Sequence, residues 1–210
     1  MYTFQMESQR NGPVASEGRE RILAAALEEF STHGVDGTTL RRIAERAGTQ
    51  HQLIVYHFKS KDTLWKAVVA DICAETHDWM RALEAEQKAL GPASALKVMV
   101  SRFVAFTARR PELHRMLTFE GRSENARLSW WIEEHVKPFY RFSTGLIRDA
   151  QRAGWAREGH PGRLHYAMIG LITTSFVFET EYRAMTRLNA FSEREIAEIT
   201  QLAQAFLGLN

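Results

Sequence analysis

The residues best equipped for chemistry in this chain lie between Gly37 and Lys61, in the stretch GTTLRRIAERAGTQHQLIVYHFKSK. Arg41, Arg42, Arg46, Lys59 and Lys61 stand there against Glu45 alone, 5 − 1 = +4, while the whole chain carries a formal charge of +2 and its remainder therefore −2. A local basic patch on a near-neutral protein is how a phosphate-contacting surface is laid out. A solvated helix face is the alternative reading of the same charges. Among these cations sit side chains that donate and accept hydrogen bonds: Thr39, Gln50, His51, Gln52, Tyr56 and His57. The chemistry on offer is non-covalent recognition of a polyanion.

Covalent and metal chemistry lack their parts. No nucleophile elbow, phosphate-cradling glycine loop or two-histidine zinc helix motif occurs. The eight histidines (His33, His51, His57, His77, His114, His135, His160 and His165) are scattered, and His160 and His165, which flank a Pro-Gly break, are near each other incidentally. Glu133, Glu134 and His135 are consecutive, so on a helix they point in different directions. The expectation is no catalytic residue, no metal and no cofactor. A single cysteine, Cys73, excludes an internal disulfide and fits a reducing cytoplasm. The first residues contain no apolar signal-peptide core, and the longest uncharged run, Leu164 to Phe178, is shorter than the ~20 residues a membrane span needs. A soluble cytoplasmic protein without a membrane partner is expected.

The elements that must position the polar cluster can be read from periodicity. Thr38 and Thr39 are helix-start signals, after which Leu40, Ile43, Ala44 and Ala47 fall at i, i+3, i+4 and i+7. Gly48 sits where a helix end commonly needs a left-handed residue. Thr49-Gln50-His51-Gln52 then has the form of a capping box, so a second helix begins almost at once. Two helices joined this tightly make a helix-turn-helix. Upstream, Ser16 can cap a first helix with Ile22, Leu23, Ala26, Leu27 and Phe30 on its inner face, ending at Gly34. Three helices packed through Leu23, Leu27, Phe30, Leu40, Ile43, Ala44, Ile54 and Phe58 give a small head over 16–62, with 1–15 as a flexible arm.

Beyond it, 63–210 reads as a helical body. A long fourth helix starts at Ser60-Lys61-Asp62 and runs to about Leu90, a rigid rod out of the head. Further helices are expected at about 93–109, 111–120, 125–153, 162–187 and 192–208, with breaks at Pro111, Gly121, Gly154, Gly159 to Gly162 and Asn189 to Ser192. No strand alternation occurs, so the fold class is all-α. Pro138 interrupts the 125–153 helix and removes a hydrogen bond to the carbonyl of Glu134, which predicts a kink that either bends around the core or opens a cavity. The penultimate helix is apolar nearly all round and must be buried all round. With the last helix it suggests a two-fold dimer through Met168, Ile172, Phe176, Ile199, Leu202 and Phe206.

The order of one helix, then Gly37-Thr-Thr-Leu-Arg-Arg-Ile-Ala-Glu-Arg-Ala-Gly48, then Tyr56-His-Phe-Lys-Ser-Lys-Asp-Thr-Leu64, resembles the DNA-binding head of the TetR family of bacterial transcriptional regulators. The likeness covers about residues 19 to 66. It implies an all-helical homodimer whose C-terminal domain binds a small molecule and thereby alters the spacing of its two heads. Matched position by position, Thr39 and Arg41 open the second helix and contact phosphate, while Gln50, His51 and Gln52 meet base edges in the major groove. Tyr56 and His57 match positions that touch the backbone, and Lys61 adds charge at a helix N-terminus. Leu53 and Val55 depart from the family pattern, which often has Thr and Tyr there; they either meet thymine methyl groups or pack between helices.

For the body, Phe103, Phe106, Met116, Phe119, Trp130, Trp131, Phe139, Tyr140 and Phe176 could line an apolar pocket, with His114, Glu120 and Glu179 as polar contacts. The reading is a repressor released from a palindromic double-stranded DNA operator by a small hydrophobic or aromatic effector. The alternative is a helical small-molecule-binding or enzymatic module whose head mediates protein contacts.

Overall fold

The computed structural model describes residues 13–121 and 124–209. Among these every regular element is helical, and the chain divides into two compact units at Val68/Val69. The expected arm lies largely outside the described residues, but its last part does not: α1 spans Pro13–His33, starting ahead of the Ser16 cap read from sequence.

The head holds α1, α2 (Leu40–Arg46), α3 (His51–Phe58) and the first turns of α4 (Lys61–Leu90). Ile22, Ala26, Phe30, Ile43, Ile54, Leu64 and Trp65 are wholly buried, while Leu27 and Leu40, also expected inside, are half-buried. Polar contacts fix the corner between α1 and α2. Thr38 is buried and donates its hydroxyl to the Glu29 and Gly34 carbonyls at 3.2 and 2.8 Å. Gly37 turns the chain so closely that a β-carbon there would stand 2.3 Å from the His33 carbonyl oxygen, a separation only glycine can meet. Gly48, at φ +60, provides the left-handed stop read from the sequence.

In the body, α5 (Pro92–Arg109) packs against α8 (Lys137–Arg152), α9 (Pro161–Val177) and α11 (Glu193–Phe206). Leu96, Met99, Val100, Phe103 and Val104 of α5 meet Leu146, Ile147, Met168, Ile172 and Ala203 in one apolar core. Around it run α6 (Pro111–Glu120), α7 (Ala126–Trp131) and α10 (Glu179–Thr186). Two expected helices are modified. The one read over 162–187 breaks at Phe178, and the one read over 125–153 is interrupted by a wide π-turn, Ile132–Val136. There the Lys137 N–H donates to the carbonyl of Ile132, five residues back, and Pro138 follows in the first turn of α8. The proline's missing donor and bulky ring are thus met by widening the helix just before it.

Burial corrects the expected dimer residues. Met168, Ile172 and Phe176 of α9 have no exposed surface and Ile199 of α11 has 5 %, because both helices turn these side chains into the core of the body. Leu202, 58 % exposed, faces outward, and Phe206 is half-buried beneath Arg157, whose guanidinium lies 5.0 Å from its ring centre. The outward positions of α9 are Arg163, Tyr166, Ala167, Gly170 and Thr174, with Phe178 just beyond its end. No described helix is long and apolar enough to cross a membrane.

Candidate functional site

Two places concentrate unsatisfied chemistry: one face of α3 in the head, and a cavity in the body. The head first. An eight-residue helix presents residues i, i+1, i+4 and i+5 together, and α3 begins so that Ile54 and Phe58 point inward. His51, Gln52, Val55 and Tyr56 therefore share the outer face, where Tyr56 is 70 % and Val55 36 % exposed. The N-cap of α3 is Gln50, not Thr49, and its side chain makes no capping hydrogen bond. The expected capping box is absent because the Thr49 N–H closes the preceding turn by donating to the Ala44 carbonyl at 3.0 Å. That leaves the Gln50 amide outside with those of Gln52. Leu53 and His57 are half-buried at the edges of this face; the His57 ring stands edge-on to Tyr56 at 5.2 Å. Thr39 caps α2 by accepting from the Arg42 N–H at 3.3 Å.

The basic cluster is less free than its sequence suggested. Glu29 of α1 is buried, and its carboxylate takes the Arg46 Nε at 2.8 Å and the Arg42 Nη2 at 3.1 Å. Arg46 also pairs with Glu28. Counting charge only from Gly37 onward missed these partners, which lie one helix earlier in sequence. Lys61 is turned inward as well: its ammonium donates to the Val35 and Thr38 carbonyls at 2.7 and 2.9 Å, tying α4 to the α1–α2 corner. Arg41 is 85 % exposed at its side chain, with Glu45 at 3.2 Å, and Lys59, held at φ +64, places its ammonium 5.6 Å from the Tyr56 ring centre. The outer face is therefore amide, imidazole and phenol, flanked by Arg41 and Lys59. Such groups can donate to and accept from base edges while their flanking cations meet phosphate.

The body cavity has a volume of about 510 Å³ and is bounded by α4, α5, α6, α7, the π-turn, α8 and α9. Of the expected pocket residues it takes Phe103, Phe106, His114, Trp131 and Phe139. Met116 and Phe176 are buried in the core instead, Phe119 and Trp130 are half-buried off the cavity wall, and Tyr140 packs edge-on against His165 at 5.1 Å. Glu120 is buried in a pair with Arg127, at 3.1 Å, and with the Asn125 amide, while Glu179 lies 3.4 Å from Arg183. Those carboxylates were expected to face a ligand; each is taken by a neighbour.

What sequence reading missed is the histidines other than His114. His77, His114, His135 and His165 all line the cavity, with Cys73, Thr76, Leu113, Leu117, Ile132 and Ile169 between them. His135 comes from the π-turn and lies flat against His77, ring centres 5.2 Å apart at 13°. Burial pushes His114 and His165 down to about 4, and His135 likewise, helped by the neighbouring His77. All three imidazoles are neutral at neutral pH. His165 Nδ1 and the Ser143 hydroxyl are 2.6 Å apart, and His114 Nε2 lies 3.4 Å from the Thr107 hydroxyl. Both ring nitrogens of His135 and the Thr76 hydroxyl are buried without a partner. Burial also raises the Cys73 thiol to about 12, so it is an inert part of the wall. No group of three or more His, Cys, Asp or Glu among the described residues could hold a metal ion.

Comparison with known proteins bears on the two places unequally. Residues 22–68 match the family described as bacterial regulatory proteins, tetR family. The Escherichia coli (strain K12) HTH-type transcriptional regulator RutR is 29% identical over 146 residues, 70% of this chain and 65% of RutR, so the match spans less than two thirds of that relative. The HTH-type transcriptional regulator TtgR of Pseudomonas putida is 36% identical over 111 residues, 51% of this chain and 52% of TtgR. Among solved structures, a bacterial regulatory protein in the tetR family from Rhodococcus RHA1 superposes with a TM-score of 0.68 at 22% identity, covering 91% of this chain and 97% of that one.

Proposed function

The chain belongs to the TetR family, and from that premise we propose that it is a ligand-responsive, DNA-binding transcriptional regulator, acting in the cytoplasm as a homodimeric repressor on a palindromic operator. The observation that carries this reading is the outer face of α3. Gln50, His51, Gln52, Val55 and Tyr56 are exposed together while Ile54 and Phe58 hold the helix from behind. In this reading Gln50, His51 and Gln52 meet base edges, and Val55 meets a thymine methyl. Thr39, Arg41, Tyr56 and His57 set the register on the sugar-phosphate backbone. Lys61 acts at one remove, by fixing the corner on which α2 and α3 stand.

In this reading the second copy joins through the outward positions of α9 and α11, including Tyr166, Phe178 and Leu202, and the two heads of the dimer meet successive major grooves ~34 Å apart. A small, largely apolar effector enters the body cavity. Cys73, Thr76 and His77 of its wall belong to α4, the helix whose first residue is Lys61, so occupancy acts on an element of the DNA-binding head. Release follows if the effector binds the non-operator spacing more tightly.

Footprinting on the promoter beside its own gene tests this. A protected palindrome that is lost on adding effector is expected, and a chain with no sequence preference for duplex DNA at moderate salt would rule the reading out.

A further inference from the structure

Resting on the effector reading just given, we infer that the body cavity selects an uncharged aromatic molecule bearing a hydroxyl group, and that His135 and Thr76 recognise that hydroxyl.

The wall of the cavity decides the ligand's charge. Among the described residues its lining includes no Asp, Glu, Lys or Arg, and its ring-bearing walls include Phe103, Phe106, Trp131, Phe139 and Tyr166, with Phe103 and Phe139 stacked at 5.0 Å. An ion brought here would lose its water with no fixed countercharge to replace it. The imidazoles of His114, His135 and His165 do not supply one, being held neutral by burial.

The polar atoms decide the functional group. A neutral imidazole carries one donor and one acceptor, and a threonine hydroxyl can act as either. His135 offers both its nitrogens and Thr76 its hydroxyl, all buried and all without a partner among the described residues. Buried polar side chains are ordinarily satisfied. Trp79 Nε1 and Glu112 Oε2 are also unpartnered, but neither belongs to the cavity wall. A ligand hydroxyl can meet one His135 nitrogen in whichever role that nitrogen takes, and the Thr76 hydroxyl likewise, because it donates and accepts at one atom; an ether only accepts. The other two lining imidazoles with close partners differ in this respect: His165 is engaged by Ser143 and His114 lies near Thr107. The position of His135 is itself unusual, on a π-turn wound ahead of Pro138 and flat against His77, so the ring is fixed by backbone and stacking while its nitrogens stay unused.

Titration calorimetry on the full-length protein with three probes of one shape tests the inference: para-phenylphenol, its methyl ether, and biphenyl-carboxylate, at neutral pH. The phenol should bind at least about tenfold more tightly than the ether, the cost of leaving a buried polar group unanswered, and the carboxylate more weakly than either. His135→Phe should bring the phenol down to the ether and leave the ether unchanged. Thr76→Val, which keeps shape, should lower the phenol selectively even if the histidine variant does not fold. Tightest binding by the carboxylate, equal binding of phenol and ether, or a selectivity untouched by both variants would overturn the assignment. Operator binding without ligand is measured in parallel. A protein that binds its operator and takes none of the probes defeats the hydroxyl inference alone. One that selects the phenol but binds no operator defeats the regulator reading alone.

Discussion

The outer face of α3 and the body cavity are opposite solutions to placing polar groups. The head satisfies its charges internally: Glu29 takes two arginines, Lys61 takes two carbonyls, and Thr38 bridges two more. What it shows to solvent is an ordered row of amide, imidazole and phenol. The cavity does the reverse, wrapping rings around His135 and Thr76 atoms that nothing among the described residues answers. A surface that must meet a polyanion in water can leave its polar groups solvated and needs only rigidity behind them. On the function proposed above, a polar atom left bare in the cavity wall is answered by the ligand. The comparison is that between a preorganised surface and an incomplete core.

Acid should separate them most strongly. Unfolded histidines titrate near 6.5, whereas His114 and His165 in the folded body titrate at about 4. As pH falls the unfolded chain takes the protons first, so the stability these residues contribute is complete above about 6.5 and is lost between there and about 4. At full shift each is worth on the order of 3 kcal/mol. Amide exchange recorded from neutral pH to pH 4.5 should show body helices α5 and α8 losing protection first. His114→Leu should flatten the slope. Loss of the head before the body would break the contrast.

Glu29→Gln is the matching perturbation of the head. It keeps the shape but removes the charge that Arg42 and Arg46 share, and both arginines are about half exposed and can turn to water. The expected cost is therefore below that of a fully buried pair, about 2 kcal/mol in urea unfolding. Ligand affinity in the cavity should not change. A destabilisation under about 0.5 kcal/mol, the range of ordinary surface changes, would mean that the pair does not organise the corner.

Gln52→Ala acts on the outer face itself, where no packing is lost. Operator affinity should fall about tenfold, as for one good base contact, with unfolding stability unchanged. An equal loss on operator and random duplex would assign Gln52 to the backbone instead.

These contrasts also explain what was legible in the sequence. The head could be read because it is built from local rules: Thr39 as cap, Gly48 as stop, and apolar spacing that puts Ile43 and Ile54 inside. The same rules over-read Thr49 as a cap, since the competing hydrogen bond to Ala44 belongs to the turn and not to the new helix. The charge count went astray because Glu28 and Glu29 approach only through tertiary packing. The cavity was legible only in Phe103, Phe106, His114, Trp131 and Phe139, and the rest was hidden for a stronger reason. His77, His135 and His165 come from three different helical segments, and no local pattern distinguishes a histidine facing a cavity from one in solvent. The one usable signal was Pro138, which marked the irregular turn beside His135. Apolar runs in α9 likewise announced burial without saying whether the cover was the chain's own core or a second copy.

The smallest expected effect is the most discriminating, because it separates two cations that look alike in sequence. Arg41 projects into solvent with Glu45 as its companion, while Lys61 donates inward to Val35 and Thr38. Arg41→Ala should leave stability within about 0.5 kcal/mol, lower affinity for every duplex alike, and reduce the slope of log affinity against log salt by about one. Lys61→Met should do the converse: stability falls by about 1 kcal/mol as two carbonyls lose a charged donor, and the salt slope stays where it was. If Lys61→Met lowers the slope by a full unit without destabilising the head, its ammonium leaves the corner for phosphate, and the head's charges are less self-contained than the comparison holds.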